Sequence, residues 1–307
     1  LQNISTYVNS ATNCSNTVQF TKKGSDAASK AISLGGVIGE VNQSEINNVN
    51  IIGFNNVEAK FKTNHETVNM GNTIGLANNS TINNVNDINN TSVIDGETTT
   101  VLANKNTNNN VLMMSGAQDN KTVNYGGIIG ASYTTNLNYS HFKGSINYGK
   151  TALQTNLRFG GVVGYSENST ILQANVNDYI EYLDNGTILR TVASGQTFSV
   201  NNPNSNGNLS TFVGGVLGYG LNTKVQGNAT NKINTSNNTN ITVTAQASEV
   251  SVGGIVGSVK NSNENTDVSR VYNTGIIKVN INGNNQRNIN VGGIVGWAVG
   301  GKYESMY

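Results

Sequence analysis

A six-residue pattern of glycine and aliphatic residues occurs seven times in this chain of 307 residues. Every copy begins with an apolar residue, has glycine at its second and sixth positions, and has an aliphatic residue at its fifth. Recurrence at intervals of roughly 20 to 50 residues is typical of repeat folds, in which neighbouring units stack to bury a shared core. The copies are Leu34–Gly39, Met70–Gly75, Tyr125–Gly130, Phe159–Gly164, Val213–Gly218, Val252–Gly257 and Val291–Gly296.

The intervals between these hexapeptides vary. Their first glycines lie at positions 35, 71, 126, 160, 214, 253 and 292, so successive copies are 36, 55, 34, 54, 39 and 39 residues apart. A unit of 34 to 39 residues corresponds either to two short turns of a β-helix or to one turn with loops. The long intervals carry extra residues around 90–124 and 179–212. These residues are either loops on one face, often the binding face, or one additional rung each.

The segments between the hexapeptides have the period of β-strands. Ile277, Val279 and Ile281 alternate with Lys278 and Asn280, as expected for a half-buried strand. Asparagine-rich, β-branched sequence with little charge also favours stacked strands, because asparagine side chains form ladders between identical positions of successive rungs. We therefore predict an all-β chain that forms a parallel β-helix (β-solenoid) over residues 34–307. Residues 1–33 contain no copy and are predicted to be an N-terminal lead-in or cap.

Strand alternation assigns the hexapeptide positions to two faces. The leading and fifth residues are apolar in every copy and are predicted to point into the core. The fourth position holds Thr73 in one copy, which favours an outer or second-layer face. The predicted core residues are Leu34, Ile38, Met70, Ile74, Tyr125, Ile129, Phe159, Val163, Val213, Leu217, Val252, Val256, Val291 and Val295.

Composition argues against several classes of function. Only 11% of the residues are charged, the net charge is +1, and the 18 lysines and arginines are scattered, so we expect no nucleic-acid partner. No apolar run approaches the roughly 20 residues of a membrane span, so we expect no membrane insertion by this segment. The single cysteine, Cys14, allows no intrachain disulfide. The chain begins at Leu1 without a charged-then-apolar leader, which we interpret as a processed or excised part of a secreted protein.

Residues that would carry catalysis or bind a metal are few. His65 lacks the second histidine of a helical zinc-peptidase motif, and His141 is isolated in the sequence. The densest ionisable patch surrounds Glu181 and consists of Tyr179, Glu181, Tyr182, Asp184 and Arg190. Solvated loop residues explain this patch, although β-helices also host carbohydrate-active enzymes with clustered carboxylates. We therefore expect no catalytic residue, no cofactor and no metal site.

Three aromatic residues directly follow a hexapeptide: Tyr165, Tyr219 and Trp297. In a stacked fold they lie at corresponding places on successive or alternate rungs. Such a row either stacks against sugar rings or a partner protein, or seals the end of the core. The three residues are therefore the candidates for ligand or partner contact, with core sealing as the favoured alternative.

The unit also resembles a known repeat. Gly-Gly-aliphatic-Val-Gly, a polar stretch and then a segment such as 271–279 (Val-Tyr-Asn-Thr-Gly-Ile-Ile-Lys-Val) resemble the GLUG repeat of bacterial surface proteins. The likeness begins near residue 34, and both Met70-Gly-Asn-Thr and the long intervals depart from it. It implies a cell-surface or secreted β-solenoid and carries no catalytic residues across.

The resulting hypothesis is a non-enzymatic extracellular β-solenoid that serves as an adhesin stalk or binding scaffold. Its expected partners are a glycan or protein on a host or neighbouring cell, or further copies of itself. The alternatives are a self-assembling subunit of an extracellular filament or surface layer, and a carbohydrate-active enzyme on a β-helix scaffold.

Overall fold

The computed structural model of the chain is all-β, with parallel strands in stacked sheets. Every regular element among the described residues is a strand. The structure describes residues 2–7, 16–22, 31–52, 55–61, 67–88, 92–94, 97–99, 111–112, 121–149, 155–182, 188–192, 195–202, 209–230, 232–262, 267–282 and 288–307.

The two halves of the hexapeptide lie in two different sheets of seven strands each, which we call sheets I and II. Sheet I contains Ile32–Gly35, Thr67–Gly71, Lys121–Gly126, Thr155–Gly160, Ser210–Gly214, Glu249–Gly253 and Asn288–Gly292. Sheet II contains Ile38–Asn42, Ile74–Asn78, Ile129–Tyr133, Val163–Glu167, Leu217–Leu221, Val256–Lys260 and Val295–Val299. The chain therefore changes sheet in the middle of each copy.

Two further sheets, III and IV, are built from the segments between the hexapeptides, with nine and five strands. Sheet III contains Gln2–Tyr7, Glu45–Ile52, Thr81–Ile88, Asn136–Lys143, Thr170–Val176, Lys224–Gln226, Thr235–Asn237, Asp267–Asn273 and Lys302–Met306. Sheet IV contains Val111–Leu112, Ile146–Gly149, Thr197–Asn202, Asn240–Ala245 and Ile277–Ile281. A separate parallel pair, Asn16–Lys22 with Asn55–Phe61, occupies the same place in the chain order as sheet IV.

The chain visits these sheets in the order I, II, III, IV and then returns to sheet I, and each interval between hexapeptides corresponds to one such pass. The long intervals add no strand to sheets I to III, because the strands on either side of them pair directly. Thr67–Gly71 pairs with Lys121–Gly126, and Thr155–Gly160 pairs with Ser210–Gly214. Of the alternatives left open by the sequence, the extra rung is therefore excluded.

Part of the additional length forms two antiparallel hairpins. Ser92–Ile94 pairs with Glu97–Thr99, and Asp178–Tyr182 pairs with Ile188–Val192. Each hairpin is inserted between a strand of sheet III and the following strand of sheet IV. The two insertions are two passes apart. The same corner thus accommodates both insertions.

One hydrophobic cluster contains residues of all four sheets, including Val123, Ile129, Leu137 and Ile146, one from each sheet of the same pass. The predicted core positions of the hexapeptides are buried except at the edges of their sheets. Ile38 and Val295 are only partly buried, and Val291 is 52% exposed, because each lies in the first or last strand of its sheet.

The prediction for the fourth position of the hexapeptide is wrong. Thr73, Ile128, Val162, Val216 and Ile255 are all fully buried. Alternation fails there because the third and fourth residues form a bend between two strands, so they do not follow the faces of either strand.

The bend is stabilised by a hydrogen-bond pattern that repeats from pass to pass. The backbone N–H groups of Ile128 and Ile129 both donate to the carbonyl of Val162, at 3.0 and 2.9 Å, and the same pattern occurs at the other copies that have a following strand. Glycine is required because the backbones approach closely: a Cβ on Gly126 would lie 1.9 Å from the carbonyl oxygen of Ile129. The glycines therefore explain the sharp corner between sheets I and II.

Polar ladders connect the passes outside the core, as the asparagine content predicted. The amide of Asn83 donates to Asn47 and that of Asn138 donates to Asn83, each at 2.8 Å. At the corner between sheets II and III, the N–H of Ser80 donates to Thr135 Oγ1 at 3.4 Å, and the N–H of Thr135 donates to Ser169 Oγ at 3.0 Å. These side chains satisfy backbone groups that the corner removes from the sheets.

Candidate functional site

The residues that directly follow the hexapeptides form one row along sheet II. Tyr165 pairs in register with Tyr219, Tyr219 with Ser258, and Ser258 with Trp297. Tyr165 and Tyr219 are thus direct neighbours, whereas Trp297 is two strands from Tyr219. At the usual strand separation that corresponds to about 10 Å, and the intervening Ser258 is fully buried.

Four rings pack together around this row, and we call Tyr133, Tyr165, Tyr219 and Phe212 the aromatic column. The rings of Tyr165 and Tyr219 are stacked, with centroids 5.9 Å apart and planes at 11°. Tyr133 contacts Tyr165 at 5.4 Å, and Phe212 contacts Tyr219 at 5.1 Å, both with tilted planes. Such pairs add about 0.5–1.5 kcal/mol each beyond area burial.

Arg158 lies over the column from sheet I. Its guanidinium carbon is 4.3 Å from the centroid of Tyr165 and 5.0 Å from that of Tyr219. The corner brings it there, because Arg158 precedes its hexapeptide by one residue while Tyr165 follows the same hexapeptide. Phe212 is the neighbour of Arg158 in register. The cation therefore rests on two ring faces at once, an arrangement that is favourable when it is partly desolvated.

The electrostatics keep the phenols protonated. Burial raises the pKa of Tyr165, and the hydrogen bond that its hydroxyl donates to Glu167 Oε2 at 2.6 Å raises it further. Burial also raises the pKa of Tyr133 and of Tyr219, while the positive charge of Arg158 lowers both. At neutral pH the column therefore presents hydroxyl groups and a guanidinium as donors, with the Glu167 carboxylate as an acceptor.

This geometry limits what the column can contact. The rings of Tyr165 and Tyr219 are stacked, Arg158 lies over both of them, and Tyr165 is only 7% exposed. Tyr133, Tyr219 and Arg158 are partly exposed. A ligand would therefore meet ring edges, hydroxyl groups and the guanidinium rather than a free aromatic face, and Tyr165 has a packing role.

The sequence did not identify Arg158, because its contact with the tyrosines depends on the corner between sheets I and II. Most of the other candidate groups fall outside the part of the chain that the structure describes. His65, Cys14 and Asp184 lie outside the described residues, as do the side chains of Tyr179, Glu181, Tyr182 and Arg190. The carbohydrate-active alternative rested on that patch and stays a prediction.

His141, which is isolated in the sequence, is buried in the structure. It is 8% exposed in sheet III, and burial lowers its pKa to about 4, opposed by the charge of Asp178. Asp178 begins the second hairpin and accepts a hydrogen bond from the hydroxyl of Tyr272. The neutral imidazole is therefore part of a buried polar group beside the root of this hairpin.

A second buried polar group lies in the interior of the pass that begins at Met70. Asn72, Thr73 and Asp87 are between 0% and 1% exposed. Burial raises the pKa of Asp87 to about 8, and the nearby Asn72 side chain opposes this effect. Neither carboxylate oxygen of Asp87 has a hydrogen-bond partner among the described residues. The signal in the sequence was the hexapeptide Met70-Gly-Asn-Thr-Ile-Gly, the copy that departs from the common pattern.

The described part of the chain contains no helix long and apolar enough to cross a bilayer. Within the same residues, no three His, Cys, Asp or Glu side chains converge as metal ligands. No protein-family model, no curated protein and no solved structure matches this chain.

Proposed function

We propose that the chain is a closed β-solenoid of seven passes, of the kind found in GLUG-type surface proteins, and that it acts outside the cell as a non-enzymatic adhesin stalk or binding scaffold. The constant order of sheets I to IV and their register across long intervals support closure. Rung-on-rung pairing gives such a scaffold its stiffness, and each pass contacts mainly its neighbours.

The observation that carries the binding role is the partly exposed aromatic column under Arg158. Tyrosine and arginine are enriched at the centres of protein interfaces, because they combine apolar area with directed hydrogen bonds. The proposed partner is a glycan or protein on the surface of a host or neighbouring cell, contacted through the edges of Tyr133 and Tyr219 and through Arg158.

Binding of the purified chain to arrays of glycans and matrix proteins tests this proposal. We expect Tyr219→Ala and Arg158→Ala to abolish retention of any bound species while the far-ultraviolet circular dichroism stays unchanged. Tyr307→Ala, which removes a 75% exposed tyrosine outside the column, is the matched control. Loss of binding on Trp297→Ala alone would move the contact to Trp297, and binding unaffected by all these changes would refute the column.

Self-assembly is the second candidate function, favoured by the last strands of the sheets. Val291 and Ile289 are 52% and 45% exposed, whereas Val252 and Val250, one strand earlier in register, are fully buried. A second copy that added its strands here would cover these side chains and pair the open backbone edge.

Light scattering as a function of concentration separates the two candidates. If the chain assembles, Val291→Asp reduces the mean mass at high concentration, whereas Asn288→Asp on the same strand leaves it unchanged. A monodisperse monomer at every concentration would refute self-assembly and leave the adhesive role intact.

A further inference from the structure

Three departures from the repeat pattern converge in one pass. The third position of the hexapeptide is glycine in the other copies and Asn72 here, and the fourth position is aliphatic elsewhere and Thr73 here. Asp87 lies on sheet III, where its neighbours in register are Ile51 and Phe142, both 1% exposed. Three polar residues therefore replace residues without polar side chains at interior positions.

The corner places these side chains opposite one another. In the next pass, a Cβ on Gly127 would lie 3.0 Å from Cδ2 of Phe142, so the third position faces this point of sheet III. Gly127 corresponds to Asn72, and Phe142 corresponds to Asp87. Asn72 and Asp87 occupy these two facing positions, and both carboxylate oxygens of Asp87 lack a hydrogen-bond partner within the described part of the chain. The pair Asn72 and Asp87 thus fills the volume that glycine and phenylalanine fill one pass later.

Two hydroxyl groups nearby have no hydrogen-bond partner. Thr73 Oγ1 adjoins Asn72 in the chain, and the Tyr125 hydroxyl comes from the strand next to Met70. Both are fully buried, and the charge of Asp87 raises the pKa of Tyr125 beyond the effect of burial. Buried hydroxyls without partners are rare in folded proteins and call for a bound water, a bound ion or a specific role.

We propose that this interior cluster binds a monovalent metal cation, Na⁺ or K⁺, through the carboxylate of Asp87, the amide oxygen of Asn72 and the hydroxyl of Thr73. All three are hard oxygen ligands, which suit such ions. One carboxylate balances one positive charge, whereas a divalent ion would leave an uncompensated charge in an apolar interior. The ion enters during folding, because the ligands are sealed from solvent.

The competing arrangement is an ion-free cluster in which Asp87 takes up a proton. The stabilities of the two arrangements diverge as the pH rises, because an ion-free Asp87 then loses its proton and leaves an uncompensated charge. At pH 8.5 the solution is above the raised pKa of about 8. The test is therefore made at that pH on the full chain, unfolded in urea and refolded in NaCl, KCl or choline chloride of equal ionic strength.

We expect the wild-type protein to unfold at higher urea in NaCl or KCl than in choline chloride. Above saturation of the site, a tenfold rise in the metal ion should raise the folding equilibrium constant about tenfold. The double variant Asn72→Gly/Asp87→Phe, which copies the next pass, should unfold at the same urea concentration in all three salts. Equal wild-type midpoints in all three salts would overturn the proposal.

Two further measurements cover the remaining outcomes. Crystals of the wild-type protein refolded with Rb⁺ should show an anomalous peak between Asp87 and Thr73, and density for water alone would refute the cation. Refolding with EDTA in NaCl should leave the midpoint unchanged. A loss that Ca²⁺ restores would identify a divalent site and overturn the monovalent assignment. Asp87→Asn keeps the shape of the side chain and provides the comparison if the double variant does not fold.

Discussion

His141 should make the protein less stable as the solution becomes acidic. Its imidazole is 8% exposed, and burial lowers its pKa to about 4 from the ordinary 6.5. The carboxylate of Asp178 raises the pKa and so limits this effect, and the hydroxyl of Tyr272 is bound to that carboxylate. Between pH 4 and 6.5 the unfolded chain therefore binds a proton at this site that the folded chain does not.

The sign and size of the effect follow from linkage. A basic group whose pKa is lowered on folding does not reduce the free energy of unfolding when the pH is above its pKa in the unfolded chain. The reduction grows as the pH falls towards its pKa in the folded chain. Each pH unit changes the free energy of unfolding by about 1.4 kcal/mol, so 2.5 units correspond to about 3 kcal/mol. The loss should be complete near pH 4 and absent above pH 6.5.

The assay is urea unfolding of the wild-type protein and of His141→Asn at pH 4, 5, 6 and 7. Asparagine is the matched substitution, because both neighbours of His141 in register, Asn86 and Asn175, are asparagine. The difference in the free energy of unfolding, wild type minus variant, should rise by about 3 kcal/mol from pH 4 to 7. A constant difference would refute the burial of a neutral imidazole, whatever other groups titrate in both proteins.

Three more changes test other parts of the structure. Gly161→Ala should destabilise the protein by at least about 3 kcal/mol in urea unfolding, because the added Cβ would lie 2.1 Å from a backbone oxygen. The control Gly293→Ala, whose Cβ would have no atom within 4 Å, should cost under about 0.5 kcal/mol. Equal losses of stability in the two variants would contradict the close approach at Gly161. Arg158→Ala should cost about 1 kcal/mol through the lost contact with two rings, and no change would show that the guanidinium is solvated. In choline chloride, the stability of the wild type relative to Asp87→Asn should fall as the pH rises from 4 to 8, because the pKa of Asp87 is raised to about 8 on folding; a rise would contradict the burial of an uncompensated carboxyl group.

The sequence predicted the burial of the leading and fifth positions of the hexapeptide, which are apolar in every copy. Alternation placed Phe159 and Val163 in the core, and both are fully buried. It failed for Val162, because the bend between sheets I and II interrupts the strand there. The long intervals were ambiguous for a different reason: only the register between distant strands shows that they add hairpins and no rung.

The sequence likewise predicts some contacts of the candidate site and misses others. The adjacency of Tyr165 and Tyr219 follows from their common position after the hexapeptide, so the repeat predicts it. The position of Arg158 depends on the angle between two sheets, which no local pattern encodes. Asp87 is a third case. The sequence alone does not show that this polar residue occupies an interior position, because only the strand register identifies the apolar residues Ile51 and Phe142 as its equivalents.

The register across the long intervals also fixes how far this chain can reach. Sheets I and II each contain seven strands, so the stack extends over six strand separations, or about 29 Å. Each pass consumes at least 34 residues and lengthens the stack by only about 5 Å. Because the passes stack, each additional pass adds height while the perimeter stays that of a single pass. Most of the residues in a pass therefore lie around the stack, and a stalk of this kind lengthens only by adding whole passes.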